Sequence, residues 1–93
     1  MIIGTARIKL YVPWVHSLKE KRMVVKSIIA KIKNKFNVSI AEISDQDVHQ
    51  TIILGIACVT DKADRSYSVI NKVIQFIERN NEAEILDILR ETR

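Results

Sequence analysis

The segment Thr51–Thr60 carries no charged residue, and its hydrophobic side chains occupy both alternating parities. Ile52, Leu54, Ile56 and Cys58 line one side; Ile53, Gly55, Ala57 and Val59 line the other. A strand that is apolar on both faces belongs inside a sheet rather than at its edge. It needs strand neighbours on both flanks, and a chain of 93 residues must supply them. That length suits one domain. A chain of this size buries roughly 60–65% of its unfolded surface, enough for a single core. No repeat, linker or low-complexity stretch divides it, so residues 1–93 read as one domain.

The neighbours follow from periodicity. From Ile2 to Val12 the even positions Ile2, Gly4, Ala6, Ile8, Leu10 and Val12 are apolar or small, and Arg7 and Lys9 fall between them. Alternation of this kind marks a half-buried strand, which Pro13 ends by removing a ladder donor. Ser17-Leu18-Lys19-Glu20 has the form of a capping box. Behind it Leu18, Val25, Ile28, Ile29, Ile32 and Phe36 recur at helical spacing, and Asn37 suits a left-handed helix terminus. Val38–Ser44 reads as a second strand, 45–50 as a polar hairpin connection and 51–60 as the third strand. A second helix over 63–80 turns Tyr67, Ile70, Val73, Ile74 and Ile77 inward. Asn80-Asn81 stops it, and Glu84–Glu91 is the last strand. The order β-α-β-β-α-β is the ferredoxin-like pattern. Two right-handed crossovers place both helices on one face of a four-stranded antiparallel α+β sandwich. The expected strand order is 4-1-3-2, with strand 3 inside and the other sheet face uncovered.

Charge is unevenly spread. Fifteen basic residues against eleven acidic ones give a net charge of +4. The excess lies in residues 1–38, where Glu20 is the lone acid; residues 39–93 are net acidic. The first helix carries Lys19, Lys21, Arg22, Lys26, Lys31, Lys33 and Lys35. At about 100° per residue, Lys19, Arg22, Lys26 and Lys33 project within an arc of roughly 60°. Such a stripe meets a run of phosphates with several charges at once. Its bland alternative is a solvated helix face. Lysine dominance favours backbone contact over base reading, because the planar fork of arginine is the better base reader.

Other constellations carry less. The strip Ile53, Gly55, Ala57 and Val59 on the uncovered face suits a second subunit or another protein partner, and a homodimer is expected. It offers no aromatic, so base stacking as in RNA-recognition domains would rest on Tyr11 alone. Parallel strands 1 and 2 bring His16 toward Asp45, Asp47 and His49. Histidine with carboxylates is the material of an acid/base pair or a metal site, set against the ordinary use of Asp in turns. Trp14 is expected to plug one end of the core and Cys58 to be a packed thiol. An acylphosphatase-type site needs a phosphate-cradling loop of amide donors beside an arginine, whereas this loop, Pro13-Trp14-Val15-His16, begins with a proline and has no glycine. One cysteine is too few for a copper chaperone. No catalytic residues, metal or cofactor are therefore assigned. The start of the chain lacks a signal-peptide pattern, and no apolar run is long enough to span a bilayer, so a cytoplasmic location without a membrane partner is expected.

The blocks His16-Ser17-Leu18-Lys19-Glu20-Lys21-Arg22, Phe36-Asn37-Val38-Ser39 with Ala41-Glu42, Gln46-Asp47 and Leu54-Gly55-Ile56-Ala57 resemble the YlxP-like family of small bacterial proteins. The resemblance runs nearly end to end. It implies a ferredoxin-like fold. Family members are often encoded beside translation-initiation and ribosome-maturation factors, which implies a link to RNA or the ribosome. The chain departs from the family pattern at Val48-His49-Gln50, where a bulky residue such as Trp is expected. The expected function is a non-enzymatic module touching structured RNA or the ribosome through helix 1. The alternative is a homodimeric assembly factor that binds a protein partner through the sheet.

Overall fold

The computed structural model describes residues 1–80 and 83–93. Its elements are β1 (Ile2–Tyr11), α1 (Leu18–Lys35), β2 (Ser39–Ser44), β3 (Thr51–Thr60), α2 (Ala63–Asn80) and β4 (Glu84–Thr92). The four strands form one sheet in the order β2-β3-β1-β4, and every pairing is antiparallel. The two-sided strand β3 is internal, as its composition requires. Asn81, assigned with Asn80 to stopping the second helix, lies outside the described residues.

Register decides which side chains share a face. Ile8 faces Leu54 and Ala6 faces Ile56 across the β1–β3 ladder. Both helices pack on this side. Val25, Ile28 and Ile32 from α1 and Ile70, Val73, Ile74 and Ile77 from α2 join those strand residues in one cluster. Phe36 and Phe76 meet edge to face, with ring centroids 5.8 Å apart, where the helices approach each other. Among the described residues, no helix is long and apolar enough to cross a membrane.

Four local expectations are corrected. Tyr67 points outward, 57% exposed, and lies under the Arg90 guanidinium at 5.0 Å; the neighbouring Ser66 takes the buried position. Ser66 fits there because Gly4 of β1 leaves room for it and Cys58 Sγ accompanies it at 3.7 Å. Trp14 does not plug the core. It is 38% exposed, while Val12 and Val15 on either side of it are fully buried. Helix α1 closes at Phe36, in extended backbone, with its amide donating to the Ile32 carbonyl at 2.8 Å. Asn37 is not left-handed: among the described residues other than glycine, only Asp45 has positive φ, at 54°. An aspartate tolerates that conformation because its short polar side chain can bond locally.

The last correction is Lys21. Read from the sequence only as one of the seven bases of α1, it is 1% exposed. Positions 18, 21, 25, 28 and 32 share the inward stripe of the helix, and lysine occupies one of them.

Candidate nucleic-acid interface

Helix α1 starts where the Ser17 hydroxyl accepts a hydrogen bond from the Glu20 amide at 3.1 Å. From there its inner face is fixed by Val25, Ile28 and Ile32, and by Lys21, whose ammonium reaches across the layer to β2. Glu42 lies on the helix side of β2, in register with Leu54. Its Oε2 lies 3.0 Å from Lys21 Nζ. That oxygen is buried, and the ammonium meets it as an ion pair without an aligned hydrogen bond. Lys21 Nζ also donates to the Asp45 carbonyl, which accepts the Val48 amide at 3.0 Å as well. The buried lysine thus ties α1 to the turn after β2.

With the inner face so fixed, Lys19, Arg22, Lys26 and Lys33 are all exposed. Among the described residues none of the four belongs to an ion pair. Of the other bases of the helix, Lys31 is also exposed but lies off this arc, and two differ in kind. Lys21 is buried, and Lys35 sits over the Phe76 ring at 4.8 Å and the Phe36 ring at 5.9 Å. Lys19 and Lys33 are fourteen positions apart, so the stripe extends about 21 Å along the helix at 1.5 Å per residue.

The open sheet face is less simple than an apolar strip. Ile53 is already 2% exposed within one chain, so it offers no surface to a partner. It is flanked in register by Lys9 and Ser44. The irregularity between Glu42 and Ser44 leaves Ile43 without a partner in the register, and its side chain lies across Gly55, where a Cβ would come within 2.9 Å of Ile43 Cγ2. Gly55 and Ala57 form the half-buried floor of a trough of about 420 Å³, with Ile43 and Leu89 exposed along it. Val59 is 66% exposed. Strand alternation made Val59, Gly55 and Ala57 readable. The positions of Ile43 and Leu89 depend on irregular pairing at the sheet edges, which the period-two pattern does not register.

A groove of about 490 Å³ opens at the end of the sheet near the start of α1. His16 and His49 both line it, as the topology led one to expect, together with Tyr11 and Gln50. Asp45 and Asp47 do not. Asp45 turns its carbonyl to Lys21, and among the described residues no three His, Cys, Asp or Glu side chains converge to hold a metal ion. Gln50 Nε2 donates to the carbonyls of Pro13 at 3.0 Å and Val15 at 3.3 Å, and its own carbonyl accepts the Val12 amide at 2.8 Å. The sequence marked Gln50 only as part of a polar connection; its clasp on the 13–15 loop is visible only in three dimensions.

The fold and the exposed helix define a small ferredoxin-like α+β protein with one basic helix face and one open sheet face. Comparison of its architecture agrees. A de novo designed ferredoxin-fold protein, LFR1 1, superposes with a TM-score of 0.54 at 18% identity, covering 100% of this chain and 86% of that one. A second designed protein, Foldit4, gives 0.51 at 14% identity, covering 99% and 94%. The chain belongs to the family described as "Protein of unknown function (DUF503)", which matches residues 3–90. It is 40% identical over 83 residues to the "Uncharacterized protein YlxP" of Bacillus subtilis (strain 168), covering 89% of this chain and 90% of that one. The YlxP-like resemblance of the motif blocks is therefore correct.

Proposed function

We propose that the protein is a non-enzymatic, cytoplasmic RNA-binding module that uses the outer face of α1 to contact structured RNA, such as that of the ribosome. One observation supports this reading above the others: Lys19, Arg22, Lys26 and Lys33 share an exposed arc and pair with no acid among the described residues. Unpaired cations in a row repel one another and gain most when a polyanion releases its counterions to them. Three or four phosphate contacts give a slope of log affinity against log salt of roughly −2 to −4. Titrating ribosomal RNA at several salt concentrations measures it. Neutralising Lys26 and Lys33 to Gln flattens the slope by about one to two units. An affinity indifferent to salt, or a slope unchanged in the double variant, overturns the reading.

A second reading concerns the open sheet face, where Val59, Ile43 and Leu89 are exposed beside the Gly55 and Ala57 floor. Arg7 and Lys9 on β1 lie on the same face as Asp87 and Glu91 on β4. Rows of opposite charge beside an apolar trough complement themselves under a two-fold axis, so the occupant this surface fits is a second copy of the chain.

A further inference from the structure

We infer that the groove at the start of α1 receives one unpaired nucleotide of the RNA, its base stacked against the rings of Tyr11, His16 and His49. The inference rests on the RNA reading above and extends it by naming the part of the RNA that the protein selects. Three flat rings from three separate segments line a single groove: Tyr11 from the end of β1, His16 from the loop before α1, and His49 from the β2–β3 connection. Val15 and Val48 add apolar contact, and the volume, about 490 Å³, is of the size that small-ligand sites occupy.

The backbone that carries the walls of the groove is held in place. Gln50 bonds the 13–15 loop to the β2–β3 connection, and Lys21 anchors the turn at Asp45 from inside the core. A site whose walls are set before binding avoids the cost of ordering them. His16 lies three positions ahead of Lys19, so a strand whose phosphates follow the stripe reaches the groove at the N-terminal end of α1. Bases are available for stacking where RNA is single-stranded, in loops, bulges and ends, and histidine is among the side chains that take them. The stripe by itself accepts duplex and single strand alike; the groove adds affinity only for RNA with a base to spare.

The test uses the intact protein with two labelled probes, an octameric single-stranded oligouridylate and a ten-base-pair RNA duplex, read by fluorescence anisotropy. Replacing both histidines (His16→Ala with His49→Ala) is expected to weaken single-strand binding by about 5- to 150-fold, the range that stacking of one base commands, and to leave duplex binding and the salt slope unchanged. Both side chains are exposed, so the fold is expected to survive. In the unmutated protein, the imidazole proton signals of His16 and His49 shift in NMR spectra on addition of the oligouridylate and stay fixed with the duplex. Equal losses for both probes, no loss for either, or unmoved imidazole signals overturn the groove. If both probes bind with a slope set by Lys26 and Lys33 but are indifferent to the histidines, the groove alone falls. If neither probe binds, the RNA reading falls with it.

Discussion

A buried ammonium is tolerated only when its lost hydration is replaced, and Lys21 replaces it with the Glu42 carboxylate and the Asp45 carbonyl. Removing one partner of such a pair leaves the other charge buried and uncompensated, at about 3–5 kcal/mol. Lys21→Met should therefore lower unfolding free energy in urea by that order, while the double variant Lys21→Met with Glu42→Leu recovers most of it, since apolar replacement of a whole buried pair is often neutral. A double variant as unstable as the single one would show that the pair adds stability in itself. Gly4 makes a second residue-scale demand. A Cβ there would overlap the Ser66 hydroxyl oxygen and lie 3.0 Å from Ser66 Cβ. Gly4→Ala obliges the Ser66 hydroxyl to turn away and crowds Ser66 Cβ, an overpacking cost of about 1–3 kcal/mol. Thermal unfolding measures it, and Ser66→Gly in the same chain should relieve part of the loss.

At the scale of the element, α1 is asked to do two things with one sequence. Its inner stripe packs on the sheet, its outer arc stays basic, and no acid beyond Glu20 sits within the helix to screen that arc. Concentrated positive charge near its N-terminus opposes the helix dipole. The start of the helix consequently leans on its cap. Ser17→Ala removes the hydroxyl that accepts the Glu20 amide, and helix caps of this kind contribute about 0.5–2 kcal/mol. The expected result is a loss of that size in urea denaturation. Hydrogen exchange should rise first in the opening turn of α1. Uniform exchange across the helix would mean that packing by Val25, Ile28 and Ile32 alone sets its stability.

For the whole molecule, the sandwich has one covered sheet face and one bare face. A fold of this size leaves β3 buried from the helix side and only partly shielded on the other, where Ile43 folds over Gly55. If a second copy covers the trough, sedimentation equilibrium at micromolar concentration gives the mass of two chains. Ala57→Glu then returns the mass of one chain, with thermal unfolding of the monomer retained, because Ala57 is half-buried on the open face and outside the core cluster. A wild-type protein that stays monomeric at high micromolar concentration contradicts the dimer and leaves the face to a different protein partner.

The elements, their order and the internal place of β3 were legible in the residues alone, because period-two and helical spacing are local properties and two-sided apolarity has one solution in a sheet this small. So was the exposed arc of Lys19, Arg22, Lys26 and Lys33, since the apolar stripe of α1 leaves those positions nowhere else to face. The rest follows from packing between distant segments. Lys21 looks like its basic neighbours until β2 brings Glu42 and the Asp45 carbonyl above the same stretch of helix. Ile53 looks like surface until its neighbours in the sheet close over it. Tyr67 yields its expected place to Ser66 because Gly4 leaves room for a small side chain there. His16 and His49 share a groove, while Asp45 is drawn away to the lysine. Each of these outcomes depends on contacts between residues far apart in the chain, and local periodicity carries no record of such contacts.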